Sequence, residues 1–390
     1  MCKIKCLNPI AKEGLALLKK GYDLTDNVDE ANAILVRSAS MHEMELPDSL
    51  ECVARAGAGV NNIPLDKCAE KGIVVFNTPG ANANGVKELV LAALLMTSRD
   101  VIGGIEWVKA NADDPDVAKK MEKAKKQFAG KEIKGKTIGV VGLGAIGIMV
   151  ANTCERLGMR VIGYDPYISV YSALHLSTHV EVAESLEELA PKVDYLTIHV
   201  PANPATKGML NKDIFDRMKD GYILLNFSRD VLVNEYDLQV AIESGRIARY
   251  ATDFPNTNVV SMKNVIAFPH LGASTEESET NCAIMACRQL MDYMENGNII
   301  NSVNFPKCDM GPIKGKARIC VFNLNVPNMI GQFATVLASM NINIPAMANE
   351  SRGNLAYTIL DTDSDVDDSI VNRLMEIPEV FKVRVIRKQA

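Results

Sequence analysis

The chain has 390 residues, of which 47% are hydrophobic and 23% are charged, a composition typical of a folded protein of about two to three domains. Its 42 Lys and Arg against 48 Asp and Glu give a formal net charge of −6, whereas a general nucleic-acid-binding protein normally carries a basic excess. The longest apolar run, residues 89–96, is far shorter than the ~20 residues of a membrane-spanning helix. We therefore expect neither a nucleic-acid partner nor a membrane anchor.

The N-terminus and the cysteines indicate the compartment. The first residues, MCKIK, lack the apolar stretch and the small-residue cleavage site of a secretory signal peptide. The nine cysteines show no CxxC spacing, and an odd number of this kind favours free thiols in a reducing environment over disulfides or structural zinc. We expect a cytoplasmic protein without a bound metal.

The first part of the chain alternates short apolar strands with helices. Strands are predicted at 3–7, 33–37, 52–56 and 73–76, and helices at 11–20 and 64–72. This alternation is typical of a parallel sheet that helices cover on both faces. The helix predicted next, over residues 86–96, is apolar on every side, so it should be buried between domains or in a subunit interface.

A second α/β block begins at residue 137. Its seven predicted strands are 138–141, 160–164, 178–182, 195–200, 222–227, 249–252 and 265–268. Helical patterns separate most of these strands, which predicts a doubly wound sheet. A long helix follows over residues 276–296 and ends before Gly297.

The C-terminal part is predicted to be a separate small unit. Residues 304–316 contain Gly and Pro without apolar periodicity, which predicts a linker. Residues 317–390 show the order βαββαβ of a ferredoxin-like unit. We expect a discontinuous first domain formed by 1–85 and 276–303, and a second domain formed by 86–275.

The strongest local motif lies at the start of the second block. Residues 142–147 read GLGAIG, directly after a predicted strand and at the start of a helix. Glycines in this position let the backbone turn tightly and approach a pyrophosphate, which the helix N-terminus stabilises. The predicted contacts are Gly142, Gly144, Ala145, Ile146 and Gly147.

Asp165 follows the next strand, eighteen residues after Gly147. A carboxylate in this place accepts hydrogen bonds from the ribose hydroxyls of NAD and repels the 2′-phosphate of NADP. The motif and the carboxylate together predict an NAD site.

Two more residues follow strands of this block, where ligands bind in open α/β sheets. Arg229 lies in the segment NFSRD, and a guanidinium there is suited to a bidentate contact with a carboxylate. His270 lies in the segment PHLGAST, and an imidazole exchanges protons near neutral pH. Taken alone, each of these residues is more often structural.

Seven motifs in this order make the chain similar to the D-isomer-specific 2-hydroxyacid dehydrogenases, and to the short-form branch of that family that acts on 3-phosphoglycerate. They are VRS at 36–38, AGAGVNNI at 56–63, NTPGANANGVKE at 77–88, GLGAIG at 142–147, HVPANPATKGM at 199–209, NFSRD at 226–230 and NVIAFPHLGAST at 264–275. The C-terminal unit resembles an ACT regulatory domain. The resemblance implies hydride transfer between C2 of 3-phosphoglycerate and NAD, giving 3-phosphohydroxypyruvate, the entry to serine synthesis.

The resemblance also implies an architecture and an assembly. The α/β fold would comprise a flavodoxin-like substrate domain, a Rossmann nucleotide domain and a small ferredoxin-like ACT-type domain. Because the apolar helix at 86–96 needs a partner, we expect a homodimer, with a tetramer as a further possibility.

The matched motifs imply roles for individual residues. Those implied to bind the phosphate are Arg37, Ser38 and Asn82, with carboxylate contacts from the backbone of Gly59 and Val60. Those implied to line the cofactor are Pro201, Thr206, Asp253 and Gly272. Arg229 matches the arginine that orients the carboxylate and polarises the carbonyl, and His270 matches the catalytic acid/base.

The chain departs from the family around the acid/base. The family usually pairs its histidine with a glutamate, but this sequence reads DFPNTN at residues 253–258, and Asp230 replaces the usual Gly after the arginine. Without a carboxylate partner an imidazole loses orientation, and its protonated form is less favoured. Lys263 is an alternative proton-transfer group, either replacing or assisting His270, and its other interpretation is a solvated loop lysine.

The C-terminal unit departs as well, and two other functions stay open. Asn325 and Asn343 match residues that hold serine in serine-inhibited relatives, but Asn323 stands where a histidine is expected. Serine feedback is therefore not expected, and the unit would serve assembly. The alternative functions are a hydroxypyruvate or glyoxylate reductase of the same family and a non-catalytic NAD-sensing protein.

Overall fold

The computed structural model describes residues 1–387. The chain forms two compact units, one made of Met1–Asn82 with Glu276–Ala390 and the other of Ala83–Thr275. We refer to them as the first and the second unit. Within residues 1–387, none of the helices has the length and apolar character needed to cross a membrane.

The first unit begins with a five-stranded parallel sheet in the order β2-β1-β3-β4-β5. Its strands are β1 (Cys2–Cys6), β2 (Tyr22–Leu24), β3 (Ala33–Val36), β4 (Cys52–Arg55) and β5 (Val74–Phe76). Helices α1 (Lys12–Leu15) and α2 (Leu65–Glu70) are shorter than predicted. The sequence pattern did not predict β2, because this exposed edge strand contains no buried residue.

The second unit contains a seven-stranded parallel sheet in the order β12-β11-β10-β9-β6-β7-β8. Its helices are α3 (Ala83–Ser98), α4 (Val101–Ala110), α5 (Val117–Ala124), α6 (Ala145–Arg156), α7 (Val170–His175), α8 (Leu186–Leu189), α9 (Lys212–Arg217), α10 (Glu235–Glu243) and α11 (Thr257–Ser261). Its strands are β6 (Thr137–Val141), β7 (Arg160–Tyr164), β8 (Glu181–Val182), β9 (Tyr195–Ile198), β10 (Tyr222–Asn226), β11 (Ile247–Thr252) and β12 (Val265–Ala267). The strand order reverses between β6 and β9, which confirms the doubly wound arrangement.

The helix predicted to be apolar on every side is only partly covered within its own unit. In α3, Val90, Ala93 and Leu94 are buried in the core, but Leu95 is 48% exposed. The next helix, α4, has no buried residue in the described part of the chain, and Ile105 on it is 50% exposed. The second unit therefore leaves an apolar surface uncovered along α3 and α4.

The long helix α12 (Glu276–Asn296) returns the chain to the first unit and has the predicted bounds. It packs on the sheet through Cys282, Ala286 and Leu290. Gly14 of α1 allows a close approach, because a Cβ added there would lie 2.7 Å from Ala283. The helix therefore belongs to the core of the first unit.

The C-terminal part of the first unit is a four-stranded antiparallel sheet in the order β14-β15-β13-β16. Its elements are β13 (Ala317–Leu324), α13 (Met329–Ser339), β14 (Ala346–Arg352), β15 (Leu355–Thr362), α14 (Asp368–Met375) and β16 (Val380–Arg387). The element order βαββαβ is the predicted one. Phe333 of α13 and Leu374 of α14 cover one face of this sheet.

The other face of this sheet shares a core with the five-stranded sheet and α12. Phe322 and Tyr357 of the C-terminal sheet pack in one cluster with Phe76 and Tyr293. Phe305 of the predicted linker is also buried there, at 1% exposure. The segment 304–316, which its composition predicts to be a linker, therefore also contributes apolar side chains to this core.

A buried ion pair reinforces the same junction. Arg318 and Asp361 are both fully buried, and the guanidinium donates two hydrogen bonds to the carboxylate, at 2.6 and 3.0 Å. The remaining Nη1 of Arg318 donates to the carbonyl oxygens of Asn296 and Gly311, at 2.7 and 2.8 Å. These bonds hold the C-terminal sheet to the end of α12.

Candidate active site

The predicted cofactor and catalytic residues of the second unit lie at one edge of its sheet. Because all seven strands of this sheet are parallel, the residues that follow them gather at the carboxyl edge. Those following β6, β7 and β9 are Gly142, Asp165 and Pro201, and those following β10, β11 and β12 are Arg229, Asp253 and His270.

The glycine-rich loop has three glycines with different surroundings. Gly142 has a φ of +90°, and a Cβ there would lie 2.6 Å from the carbonyl oxygen of His199. At Gly147 a Cβ would lie 1.8 Å from the carbonyl oxygen of Gly142. A Cβ at Gly144 would meet no described atom within 4 Å. Gly142 and Gly147 are therefore required by packing, whereas Gly144 faces open space.

That open space lies in front of a helix N-terminus. Gly144 is the N-cap of α6, whose bonding begins with the Ile148 N–H donating to the Gly144 carbonyl at 3.1 Å. The main-chain N–H groups of Ala145 and Ile146, in the first turn, precede this bond and have no carbonyl within the helix to bind. The loop therefore has the space, the donors and the dipole that a pyrophosphate requires.

Asp165 is fixed beside the same loop. One of its carboxylate oxygens accepts from the Leu143 N–H and the other from the Tyr167 N–H, both at 2.9 Å. Each carboxylate oxygen has a second lone pair, which can accept from a ribose hydroxyl. The arrangement therefore fits NAD.

The loop after β9 is held in a compact turn. The Thr206 hydroxyl donates to the Pro201 carbonyl at 2.7 Å. Asn203, which the sequence analysis did not select, accepts from the Thr206 N–H at 3.1 Å. Pro201 and Thr206 thus have fixed positions relative to each other.

Arg229 and His270 lie on the same aromatic ring. The guanidinium carbon of Arg229 is 5.1 Å from the ring centre of Phe254, and the ring centres of His270 and Phe254 are 4.5 Å apart. The Arg229 Nη1 also donates to the Ser228 carbonyl at 2.6 Å. Sequence reasoning missed Phe254, although it lies in the segment that departs from the family. The structure thus brings the two predicted catalytic residues together through a residue that was not predicted.

Asp253 precedes this aromatic residue and is only 2% exposed. Its Oδ2 accepts from the Gly272 N–H at 3.3 Å, and its Oδ1 has no hydrogen-bond partner among the described residues. Burial raises the pKa of the Asp253 carboxyl, and the nearby His270 and Arg229 lower it in part. The unpartnered oxygen can accept a hydrogen bond from a bound ligand.

His199, the other histidine near this edge, has different surroundings from His270. Burial lowers the pKa of His199 from 6.5 to about 3, so its ring is neutral. Its Nε2 lies 2.9 Å from the Thr197 hydroxyl. His270, in contrast, is exposed, which suits a group that exchanges a proton with a ligand.

The first unit has its own cluster of predicted residues, also at a carboxyl edge. Arg37 and Ser38 follow β3, Gly59 and Val60 follow β4, and Asn82 precedes α3. β3, β4 and β5 are neighbours in the sheet, so the loops that follow them are adjacent.

These loops are bound to one another. The Asn8 side-chain oxygen accepts from the N–H groups of Arg37, Ser38 and Ala39, each at 3.0 Å. Arg55, which ends β4, donates through Nε to the Arg37 carbonyl at 3.1 Å. Sequence reasoning missed Arg55, although it is an arginine at the end of a buried strand, the signal that had singled out Arg229.

Comparison with known proteins identifies the family. Residues 91–272 match the family described as D-isomer specific 2-hydroxyacid dehydrogenase, NAD binding domain. A putative D-3-phosphoglycerate dehydrogenase of Schizosaccharomyces pombe is 32% identical, covering 92% of this chain and 82% of its own length. The chain belongs to the D-isomer specific 2-hydroxyacid dehydrogenase family.

Two further proteins that are similar to this dehydrogenase support the same family. The D-3-phosphoglycerate dehydrogenase of Escherichia coli is 29% identical over 93% of this chain and 88% of its own. The NAD⁺-bound 3-phosphoglycerate dehydrogenase structure of Entamoeba histolytica has 26% identity and a TM-score of 0.62, covering 78% of this chain and 98% of that one. NAD is therefore the cofactor of this dehydrogenase, as the glycine-rich loop and Asp165 predicted.

In this dehydrogenase, Lys263 does not lie beside His270. Lys263 precedes β12, at the amino end of the strand, whereas His270 follows its carboxyl end. The three residues of β12 span ~10 Å at ~3.3 Å each. Lys263 is exposed in a surface groove of about 740 Å³ that Glu235 and Glu243 also line. Its position corresponds to the solvated-lysine interpretation.

Proposed function

We propose that this dehydrogenase oxidises D-3-phosphoglycerate with NAD to 3-phosphohydroxypyruvate, the first step of serine biosynthesis. The observation that carries the proposal is the pair of arginines, Arg37 and Arg55, at the carboxyl ends of the adjacent strands β3 and β4. A substrate with a phosphate as well as a carboxylate needs cationic groups beyond Arg229. The curated relatives that cover most of this chain bear the same enzyme name.

The substrate-binding roles follow the family motifs. Arg37, Ser38 and Asn82 bind the phosphate, because a guanidinium, a hydroxyl and an amide donate to its oxygens. The N–H groups around Gly59 and Val60 bind the carboxylate. Arg229 orients the carboxylate and polarises the reacting carbonyl, and its stacking on Phe254 keeps the guanidinium in place.

The cofactor is held by the glycine-rich loop and Asp165, with Pro201, Thr206, Asp253 and Gly272 lining its position. Bound NAD supplies the nicotinamide C4 that accepts the hydride. The open space at Gly144 and the unpartnered Oδ1 of Asp253 support this assignment.

His270 is the proposed proton-transfer group. It takes the proton of the C2 hydroxyl during oxidation and returns it during reduction. In the absence of the usual family glutamate, stacking on Phe254 orients the imidazole, and the buried carboxylate of Asp253 lies near enough to interact with its charge. Lys263 has no part in this scheme, because it lies at the other end of β12.

One observation favours a second candidate, a hydroxypyruvate or glyoxylate reductase. Arg37 is paired with Glu279, which offsets its positive charge. The deciding experiment follows NADH oxidation with 3-phosphohydroxypyruvate, hydroxypyruvate and glyoxylate in parallel. We expect the highest kcat/KM for the phosphorylated acid. A preference for an unphosphorylated acid would select the reductase, and inactivity with all three acids would select an NAD-sensing protein.

The C-terminal sheet is proposed to be an ACT-type domain. Its strand order β14-β15-β13-β16, with both helices packed on one face, supports this assignment. Asn323 is buried and donates to the Leu324 carbonyl at 2.7 Å, while Asn343 donates to Asp363 at 3.2 Å. We expect no inhibition by serine at millimolar concentrations, and serine titration of the activity tests this.

We propose that the enzyme is a homodimer and that the uncovered surface of α3 and α4 forms its interface. Leu95, Ile105 and Val108 are each more than two-fifths exposed there, and a second copy of the same surface would cover them in a two-fold interface. Light scattering measures the assembly, and a monomer at micromolar concentration would contradict it.

A further inference from the structure

One of the proposed phosphate ligands already has a carboxylate partner in its own unit. The Nη1 of Arg37 lies 2.6 Å from Oε2 of Glu279, in the first turn of α12. The two side chains are 46% and 44% exposed. Water and a dissolved anion can therefore reach the pair, and another anion can replace Glu279 on the guanidinium.

The backbone that carries Arg37 is held by other contacts. Asn8 accepts its N–H at 3.0 Å, and Arg55 donates to its carbonyl at 3.1 Å. A change of partner is then a rotation of the Arg37 side chain, with the loop in place. The guanidinium has two alternative anions, the Glu279 carboxylate and the phosphate of a substrate.

We propose that Glu279 sets the substrate selectivity of the enzyme by competing with the substrate's anionic group for Arg37. The inference rests on the proposed function, because it takes Arg37 as a phosphate ligand. A phosphate displaces the single carboxylate because it brings two charges and three acceptor oxygens. An uncharged hydroxymethyl group, as in hydroxypyruvate, gains nothing from displacing it.

The competition has a limited size, because solvent screens an exposed ion pair. Such pairs shift an equilibrium by about two- to fivefold. Glu279 therefore does not block the phosphorylated acid. It weakens the binding of the phosphorylated acid by about two- to fivefold and leaves the binding of the unphosphorylated acid unchanged. Glu279 therefore reduces the difference in affinity between the two acids.

The test is Glu279→Gln, which keeps the shape of the side chain and removes its charge. We expect KM for 3-phosphohydroxypyruvate to fall by about two- to fivefold, with kcat and the KM for hydroxypyruvate unchanged. Glu277→Gln, on the same turn of α12, is the control with the same change in net charge. In an Arg37→Ala background, Glu279→Gln should have no effect on either KM.

Three results of the kinetic measurements would overturn the inference: an equal change of KM for both acids, the same effect from Glu277→Gln, or an effect that persists without Arg37. A direct measurement separates this inference from the proposed reaction. Calorimetric titration with inorganic phosphate should show about two- to fivefold tighter binding to Glu279→Gln than to the unaltered enzyme. If the enzyme turns over neither acid, the proposed function fails, but the phosphate titration still tests the role of Glu279. Equal phosphate affinities of Glu279→Gln and the unaltered enzyme would overturn that role.

Discussion

The backbone turn at His270 and the neighbouring Phe254 ring explain how the imidazole is positioned. Its φ is +52°, in the left-handed region that non-glycine residues seldom adopt, and its N–H donates to the Phe268 carbonyl at 3.0 Å. Strain of this kind persists only where the surroundings hold the residue, and it is concentrated at functional positions. Here the turn and the Phe254 ring hold the imidazole at the carboxyl edge, where the family usually relies on a glutamate.

The first prediction compares the two candidates for proton transfer. His270→Asn should lower kcat by about 100-fold or more, because general acid–base catalysis contributes about that factor. Lys263→Ala should leave kcat unchanged, since Lys263 lies at the opposite end of β12. Steady-state NADH assays measure both variants. A loss of kcat in Lys263→Ala with normal kcat in His270→Asn would reverse the assignment.

The second prediction concerns Phe254, whose ring contacts both proposed catalytic residues, Arg229 and His270. Phe254→Leu removes the aromatic face, so we expect kcat to fall by about tenfold, while NADH affinity stays constant. Phe254→Tyr keeps the ring and should retain most of the activity. A Leu variant with normal kcat would show that the ring of Phe254 only fills space and does not position the two residues.

At the scale of elements, the turn between β6 and α6 uses its glycines for two different purposes. Gly147 lets the helix approach the carbonyl of Gly142, whereas Gly144 keeps open the space in front of the helix N-terminus. The conformation of Gly144, φ −77° and ψ −162°, is accessible to alanine. The two positions can therefore be separated by experiment.

The third prediction rests on this difference. Gly147→Ala should lower the free energy of unfolding by about 1–3 kcal/mol, because the new methyl group overpacks the turn. Gly144→Ala should leave the melting temperature unchanged and weaken NADH binding by about tenfold, because its methyl group occupies the space of the pyrophosphate. Thermal unfolding and NADH fluorescence titration distinguish them. Equal melting and equal NADH affinity in both variants would contradict the assignment of the loop.

At the scale of the whole molecule, the C-terminal sheet is part of the first unit and not a tethered module. Its Phe322 and Tyr357 share a core with the five-stranded sheet, and Tyr357 donates to the Gly297 carbonyl at 2.7 Å. Glu51 beside β4 binds Lys382 and Arg384 of β16, both at 3.0 Å. The stability of this unit therefore depends on both of its sheets.

The fourth prediction tests this dependence through the buried ion pair. Asp361→Asn leaves the buried charge of Arg318 uncompensated, so we expect a loss of about 3–5 kcal/mol in the free energy of unfolding. Glu181→Gln breaks the exposed pair with Arg160 and should cost about 1 kcal/mol or less. Urea denaturation measures both, and hydrogen exchange in β13 should rise only in Asp361→Asn. Similar losses of unfolding free energy in the two variants would show that the Arg318–Asp361 pair contributes little to the stability of the first unit.

Much of the architecture follows from local patterns. Apolar runs predicted nearly all strands of both parallel sheets, and the glycine loop with Asp165 predicted the cofactor. The bounds of α12 agree with the predicted 276–296. The exceptions have local causes: β2 is an exposed edge strand, and α1 covers only four of the predicted residues.

By itself, the sequence determined the strand and helix order, the cofactor loop, and the arginine and histidine that follow strands, because periodicity and strand-end position are local properties. Only the tertiary structure decided that Phe254 joins Arg229 to His270, that Lys263 lies at the far end of β12, and that Glu279 holds Arg37. It also decided that the predicted linker and the C-terminal sheet share the core of the first unit. Such partners are far apart along the chain, and packing, which no local spacing encodes, brings them within contact distance.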